Sequence, residues 1–167
     1  MIPQRFSMAH LTWRIALIAA LVSTITATLA TTAVATPATV GHRIVQHAKV
    51  ETRRGKLGVH LTNAHGRTLY MFAADTRHRS HCRGTCARFW PPFTTVGAPI
   101  AGRAAKAAKL ATIRRRDGSR QVTYAGHPLY LYLGDSKAGQ TNGQGSLAFG
   151  ARWWILAPSG KPITKTS

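Results

Sequence analysis

The segment Gly66-Arg67-Thr68-Leu69-Tyr70-Met71-Phe72-Ala73-Ala74-Asp75 recurs at an offset of 60 as Gly126-His127-Pro128-Leu129-Tyr130-Leu131-Tyr132-Leu133-Gly134-Asp135. Gly, Leu, Tyr and Asp are identical in the two copies, and Phe72 answers Tyr132 as aromatic for aromatic. An internal repeat constrains a chain more than any single motif, because the fold must be one unit built twice. Each copy is a turn glycine, a short apolar run and an aspartate. Short runs rich in aromatics and bounded by turn residues read as strands buried on both faces. Alternation along a strand sends Tyr70 and Phe72 to one face and Leu69 and Met71 to the other. In the second copy Tyr130 and Tyr132 oppose Leu129, Leu131 and Leu133.

Further strands fall around these copies. Gly58 to Thr62 is expected to pair with Arg67 to Phe72 across Asn63-Ala64-His65-Gly66. Ala111 to Arg115 and Gln121 to Tyr124 flank Asp117-Gly118, a strong hairpin signal because both residues tolerate positive φ. Ala125-Gly126 turns the chain into the second copy, and Arg152 to Leu156 gives a last strand. The Ala/Lys stretch Arg103 to Ala108 is the one place where a short helix fits. The fold class is therefore mostly β: a small antiparallel meander of two pseudo-equivalent repeats, with that helix between them. Residues 57–103 form repeat 1 and residues 104–163 repeat 2, together one compact domain.

The N-terminus reads as an export signal. Arg5 and Arg14 make a positive n-region, Ile15 to Leu29 an apolar stretch, and Ala33-Val34-Ala35 a small-x-small cleavage pattern. Residues 1–35 are thus expected to leave, so that no transmembrane segment remains; retention as an anchor is the alternative. Residues 36–56 are Ala/Thr-rich and then basic, and read as a linker, with room for an edge strand over 44–50. The domain is expected outside the cytoplasm, secreted, periplasmic or in the cell envelope.

That compartment governs the two cysteines. Cys82 and Cys86 are the only ones, spaced C-x3-C in a loop that also holds His78 and His81. A close pair in an oxidising compartment is most often a disulfide that fixes a loop. Two other readings stay open: a soft-metal site formed by His78, His81, Cys82 and Cys86, and a redox-active pair. Arg77, Arg79, Arg83 and Arg88 crowd the same loop and oppose a metal.

Charge supplies the next constraint. The chain of 167 residues carries 23 Lys and Arg against four acids, Glu51, Asp75, Asp117 and Asp135. A formal charge of +19 favours anionic partners. It also restricts chemistry, since acid/base pairs and hard-metal cages are built from carboxylates. Arg114-Arg115-Arg116 sits at a hairpin tip and is expected to be exposed, a candidate contact for an anionic ligand. Of the adjacent Trp153 and Trp154, one must point away from the core and could stack on such a ligand. At least one residue each of Trp90-Pro91-Pro92-Phe93 and of Trp153-Trp154-Ile155 is otherwise expected to fill the interface between halves.

The Tyr-x4-Asp pairs admit two readings. Asp75 and Asp135 could form a carboxylate dyad with tyrosine support, as in hydrolases. Alternatively each aspartate accepts backbone N–H groups at the end of its strand while Tyr70 and Tyr130 pack in the core. A motif present in both copies suits the second reading, as a folding device. No G-x-S-x-G or P-loop is present. The Gly139 to Gly145 stretch reads as a flexible loop, and no cofactor is expected.

The spacing Y-x-(F/W/Y)-x-x-D, met as Tyr70, Phe72, Asp75 and as Tyr130, Tyr132, Asp135, resembles a bacterial family of secreted or lipoprotein repeats of unknown function. The similarity extends through Cys82, Cys86 and Trp90-Pro91-Pro92, then through Pro128, Gly139, Gly143-Gln144-Gly145 and Trp153-Trp154. It spans Leu57 to Gly160 and implies export without implying an activity. This chain departs from many relatives in having no cysteine for lipid attachment and in its heavy Arg/His content.

Three functions are carried forward in order. The first is a non-enzymatic envelope or extracellular module that meets an anionic envelope polymer or membrane surface. The second is a copper or thiol-redox protein using the His78–Cys86 loop, and the third a hydrolase using Asp75 and Asp135. Specific nucleic-acid reading is not supported, because no helix-turn-helix or zinc-finger pattern occurs.

Overall fold

The computed structural model describes residues 46–166. The expected signal segment and residues 36–45 of the expected linker lie outside the described residues. Among the described residues nine short strands follow in order: β1 Lys49–Gly55, β2 Gly58–Asn63, β3 Tyr70–Phe72, β4 Ile100–Ala101, β5 Leu110–Arg114, β6 Arg120–Tyr124, β7 His127–Pro128, β8 Leu147–Ala148 and β9 Ala151–Ile155. A short α-helix, α1, spans Thr85–Phe89. The strands form three small sheets, β2-β1-β4, β3-β9-β8 and β5-β6-β7. All pairings between these strands are antiparallel except β1 with β4.

The repeat reaches further toward the N-terminus than expected. β1 pairs with β2 from Val50↔Asn63 to Gly55↔Gly58, and β5 pairs antiparallel with β6 from Leu110↔Tyr124 to Arg114↔Arg120, one residue out of register with the repeat offset of 60. β1 reads as linker because it is polar (Lys49-Val50-Glu51-Thr52-Arg53-Arg54-Gly55) and buries one side chain fully, Val50. Its strand lies later than the expected 44–50 because ladder hydrogen bonds to β2, rather than apolar burial, hold it. The expected pairing of 58–62 with 67–72 is partial. It consists of the Thr62↔Thr68 bridge and bonds such as Leu69 N–H to Leu61 O (3.0 Å), while β3 pairs chiefly with β9.

Turn chemistry shapes the second copy. Gly118 has φ 82 and its N–H reaches back to Arg115 O at 3.1 Å, so the β5–β6 turn needs a left-handed glycine. The next turn places both Ala125 (φ 50) and Gly126 (φ 86) in the left-handed region. That is the geometry a two-residue antiparallel turn demands, and an unusual one for alanine.

The helix forms elsewhere than the Ala/Lys stretch suggests. Residues 107–109 make only a 3-10 turn, and the α-helical turn lies at Thr85–Phe89 beside the cysteine loop. A short helix needs an apolar face to dock. Ala105 alone is buried in the first stretch, whereas Cys86 buries in α1 and Trp90 closes it by donating to Cys86 O at 2.8 Å.

Alternation along the repeat strands divides the interior as the sequence implies. Leu69, Met71 and Leu129 join Val50, Leu61, Val122 and Leu156 in an aliphatic core. Tyr70, Phe72 and Tyr130 join Trp90, Trp153, Ile155 and both cysteines in an aromatic one. Tyr70, Met71 and Phe72 are all buried, so this segment is covered on both faces.

Candidate functional site

The two copies meet at their tyrosines. Tyr70 N–H donates to Tyr130 O and Tyr130 N–H donates to Tyr70 O, both at 2.9 Å. This reciprocal pair sets the copies antiparallel to each other about a local pseudo-twofold. Side chains then cross between them. Tyr70 Oη donates to Asp135 Oδ2 at 2.6 Å, and Tyr130 Oη donates to Asp75 Oδ2 at 2.5 Å. Each tyrosine therefore serves the aspartate of the other repeat.

The remaining oxygen of each carboxylate orders a loop. Asp75 Oδ1 accepts from His81 N–H at 2.7 Å and Asp135 Oδ1 from Asn142 N–H at 2.9 Å. Burial raises both carboxyl pKa values above the ordinary aspartate value, and the hydrogen bonds from these loops and tyrosines pull against that rise. Burial pushes Tyr70 and Tyr130 far above a usual phenol, and the adjacent carboxylates add to it. Both phenols are thus fixed as donors. Both oxygens of each aspartate are engaged, and the two Tyr–Asp pairs form a crossed clasp between the copies.

Behind the clasp runs a stack of four rings. Phe72 stacks on Trp153 (4.2 Å between centroids), Trp153 on Trp90 (3.9 Å), and Trp90 on Tyr132 (4.2 Å). The rings alternate between first and second copy, with Phe72 and Tyr132 at equivalent positions. Tyr70 meets Trp90 edge-on at 5.3 Å and Tyr130 meets Trp153 edge-on at 5.1 Å. Offset stacks and edge contacts are the arrangements that aromatic quadrupoles favour.

Trp153 has no exposed surface, so the expectation that it contacts a ligand gives way. Its indole belongs to the stack, and of the adjacent pair only Trp154 is half-exposed, with the Arg152 guanidinium 6.0 Å from its ring centre. The Gly139–Gly145 loop is likewise tied down. Gly139 N–H bonds Gly66 O, Gly143 N–H bonds Tyr70 Oη, and Gly145 N–H bonds Trp153 O. Gly143 lies so near Trp90 that a Cβ there would stand 2.5 Å from the indole.

Cys82 and Cys86 are joined in a disulfide, and both are buried. The thiolates that a metal site would need are therefore consumed. His78 and His81 are exposed, and among the described residues no group of three or more His, Cys, Asp or Glu is placed to hold a metal ion.

The basic run differs from its expected exposure. Arg114 and Arg116 are exposed, but the Arg115 side chain is 6% exposed and folds onto the disulfide loop. Its Nη1 donates to Ser80 Oγ (2.7 Å) and Gln121 Oε1 (2.6 Å), and its Nη2 to Cys82 O (2.8 Å). Ser80 Oγ lies 2.7 Å from Tyr130 Oη, so the arginine connects through one hydroxyl to the clasp. On another face Phe89, Leu133, Leu147 and Phe149 are exposed, and Phe149 is held at φ 57 on a hairpin tip. Spacing alone gave no signal for this apolar patch.

No helix among the described residues is long and apolar enough to cross a membrane. No curated protein and no solved structure matches the chain. A family model described as a secreted repeat of unknown function does match, over residues 51–94 and again over 111–157. The two matches bracket the two structural copies, each beginning within the first strand of its unit and running past its Tyr-x4-Asp segment. Covering more than half of the chain between them, they make this protein a two-copy member of that secreted repeat family.

Proposed function

We propose that this secreted protein is a non-enzymatic module that associates electrostatically with anionic cell-surface material. The observation that carries the reading is the fate of its four carboxylates. Asp75 and Asp135 are held inside the clasp. Glu51 pairs with Lys49 at 2.6 Å, and Asp117 lies 3.6 Å from Arg115. With 23 Lys and Arg in the chain, most cationic side chains have no acid to neutralise them. Such a surface attracts polyanions over roughly a Debye length, about 8 Å at physiological salt. The engagement of the Tyr–Asp pairs in folding supports a binding role over catalysis by Asp75 and Asp135.

The test is retention on an anionic polymer, measured by equilibrium binding from low to high salt. Affinity is expected to fall by at least tenfold between 50 and 200 mM salt, on the order expected for several charge contacts. Absence of binding at low salt would refute the reading.

A further inference from the structure

Between the disulfide loop and the β5–β6 hairpin lies a cavity of about 240 Å³. Five arginines line it, Arg79 and Arg83 from the loop and Arg114, Arg115 and Arg116 from the hairpin, against one carboxylate, Asp117. Four of these arginines are exposed, so their guanidinium groups are free to rearrange. Arg115 is not. Its two terminal nitrogens are fixed by Ser80, Gln121 and the Cys82 carbonyl.

One group in this cluster is unsatisfied. Arg115 Nε is buried and has no hydrogen-bond partner. The nearest acid oxygen, Asp117 Oδ2, is 3.6 Å away, too far for a hydrogen bond. A buried cationic N–H without an acceptor is costly, and an oxyanion that enters the cavity and displaces the side chains covering this nitrogen would relieve it. Gathering five guanidinium groups around one small space adds mutual repulsion, which the same anion would remove. Asp117 is better placed as a competitor than as that partner. Its other oxygen caps the turn by accepting from Ser119 N–H at 2.9 Å and Ser119 Oγ at 2.6 Å.

We infer that the cavity is a subsite for a tetrahedral oxyanion, the phosphate group of a phosphorylated polymer or headgroup. Arg115 forms its fixed floor, and the four exposed arginines close over the anion. Phosphate fits this donor set better than carboxylate. Its several charged oxygens can accept from more than one guanidinium fork, whereas a carboxylate is satisfied by one. The inference deepens the anionic-surface reading by naming the charged group, and depends on it only for where that phosphate comes from.

The experiment is an NMR titration of the secreted protein with inorganic phosphate at constant ionic strength, reading arginine Nε–H and backbone amide signals. Saturable shifts confined to residues 79–87 and 114–119 are expected. Asp117→Asn should tighten phosphate binding at least threefold, since the amide keeps a turn-capping oxygen and loses the competing charge. Arg83→Ser combined with Arg116→Ser, both at exposed positions, should weaken it at least fivefold with the urea midpoint unchanged. Non-saturating shifts spread over the whole basic surface would overturn the inference, as would an Asp117→Asn variant of unchanged affinity.

Two further arms separate the sources and the two readings. A wall polymer bearing phosphomonoester groups and vesicles containing phosphatidic acid are added in turn, and the one that reproduces the pocket shifts supplies the phosphate. Salt-sensitive polymer binding that leaves the pocket signals unmoved would sink the subsite and spare the broader reading. Saturable phosphate binding in the pocket, with neither polymer nor vesicle bound at low salt, would do the reverse.

Discussion

Tyr70 donates to Asp135 at 2.6 Å and leaves Asp75, five residues along its own segment, to Tyr130. The signature that recurs in each copy is completed only by the other copy. A hydrogen bond to a buried carboxylate is worth about 1.5–3 kcal/mol, so the two crossed bonds contribute on the order of several kcal/mol to holding the repeats together.

Crossing can be separated from pairing within a repeat by double-mutant cycles. Tyr70→Phe is expected to cost about 2 kcal/mol by urea denaturation. Combined with Asp135→Asn it should show a coupling of at least about 1 kcal/mol, whereas combined with Asp75→Asn it should be additive within about 0.5 kcal/mol. Coupling of Tyr70 to Asp75 instead would contradict the crossed arrangement.

Gly143 tests the fit of the loop over the ring stack. A methyl group at this position would meet the Trp90 indole at 2.5 Å, and the loop is held there by bonds at Gly143 and Gly145. Gly143→Ala should therefore destabilise the fold by about 1–3 kcal/mol and perturb near-ultraviolet tryptophan signals. Gly150→Ala is the control for the stack, since no atom lies near a Cβ there, although its φ of 91 carries a local backbone cost of its own. A Gly143→Ala variant with wild-type stability and spectra would show that the loop does not press on Trp90.

Stability should depend on pH with two opposed signs. Burial lowers the His60 pKa against the pull of its bond to Gly58 O, and burial with Arg77 lowers that of His127. Their folded values lie below the unfolded value of about 6.5. The stability they confer is therefore complete above that pH and is lost as pH falls through the folded values. Asp75 and Asp135 run the other way. Burial raises their folded values above the unfolded value of about 3.9, so their contribution is present below it and is lost as pH rises through the folded values. Urea midpoints should fall from pH 7 to 5, by less in His127→Gln, and the slope should flatten on further acidification. A loss that steepens toward pH 3 would mean the carboxylates are held more strongly than burial penalises them.

Local features of this fold were legible and long-range ones were not. The split between Leu69/Met71 and Tyr70/Phe72 follows from strand period, and the Asp117-Gly118 hairpin from turn chemistry. Partner choice across 60 positions is different. Nothing in Tyr-x4-Asp says which aspartate a tyrosine meets, because the reciprocal Tyr70–Tyr130 backbone bonds decide it. The burial of Arg115 has a related cause. Its position near a hairpin tip predicts solvent, but the disulfide loop, brought in by a distant part of the chain, supplies acceptors that draw the side chain inward. The bounds of β1 differ from the edge strand expected over 44–50 because a polar strand held by its ladder has no apolar signature.

The alternating order of the ring stack, first copy and second copy by turns, bears on how such chains can evolve. A third copy added to this unit would bring a tyrosine with no aspartate to meet and an aspartate with no tyrosine. Growth by duplication in this architecture is therefore expected to proceed by pairs of copies. A gene encoding one copy would have to find its missing half on another polypeptide, as a two-chain assembly joined through the same clasp.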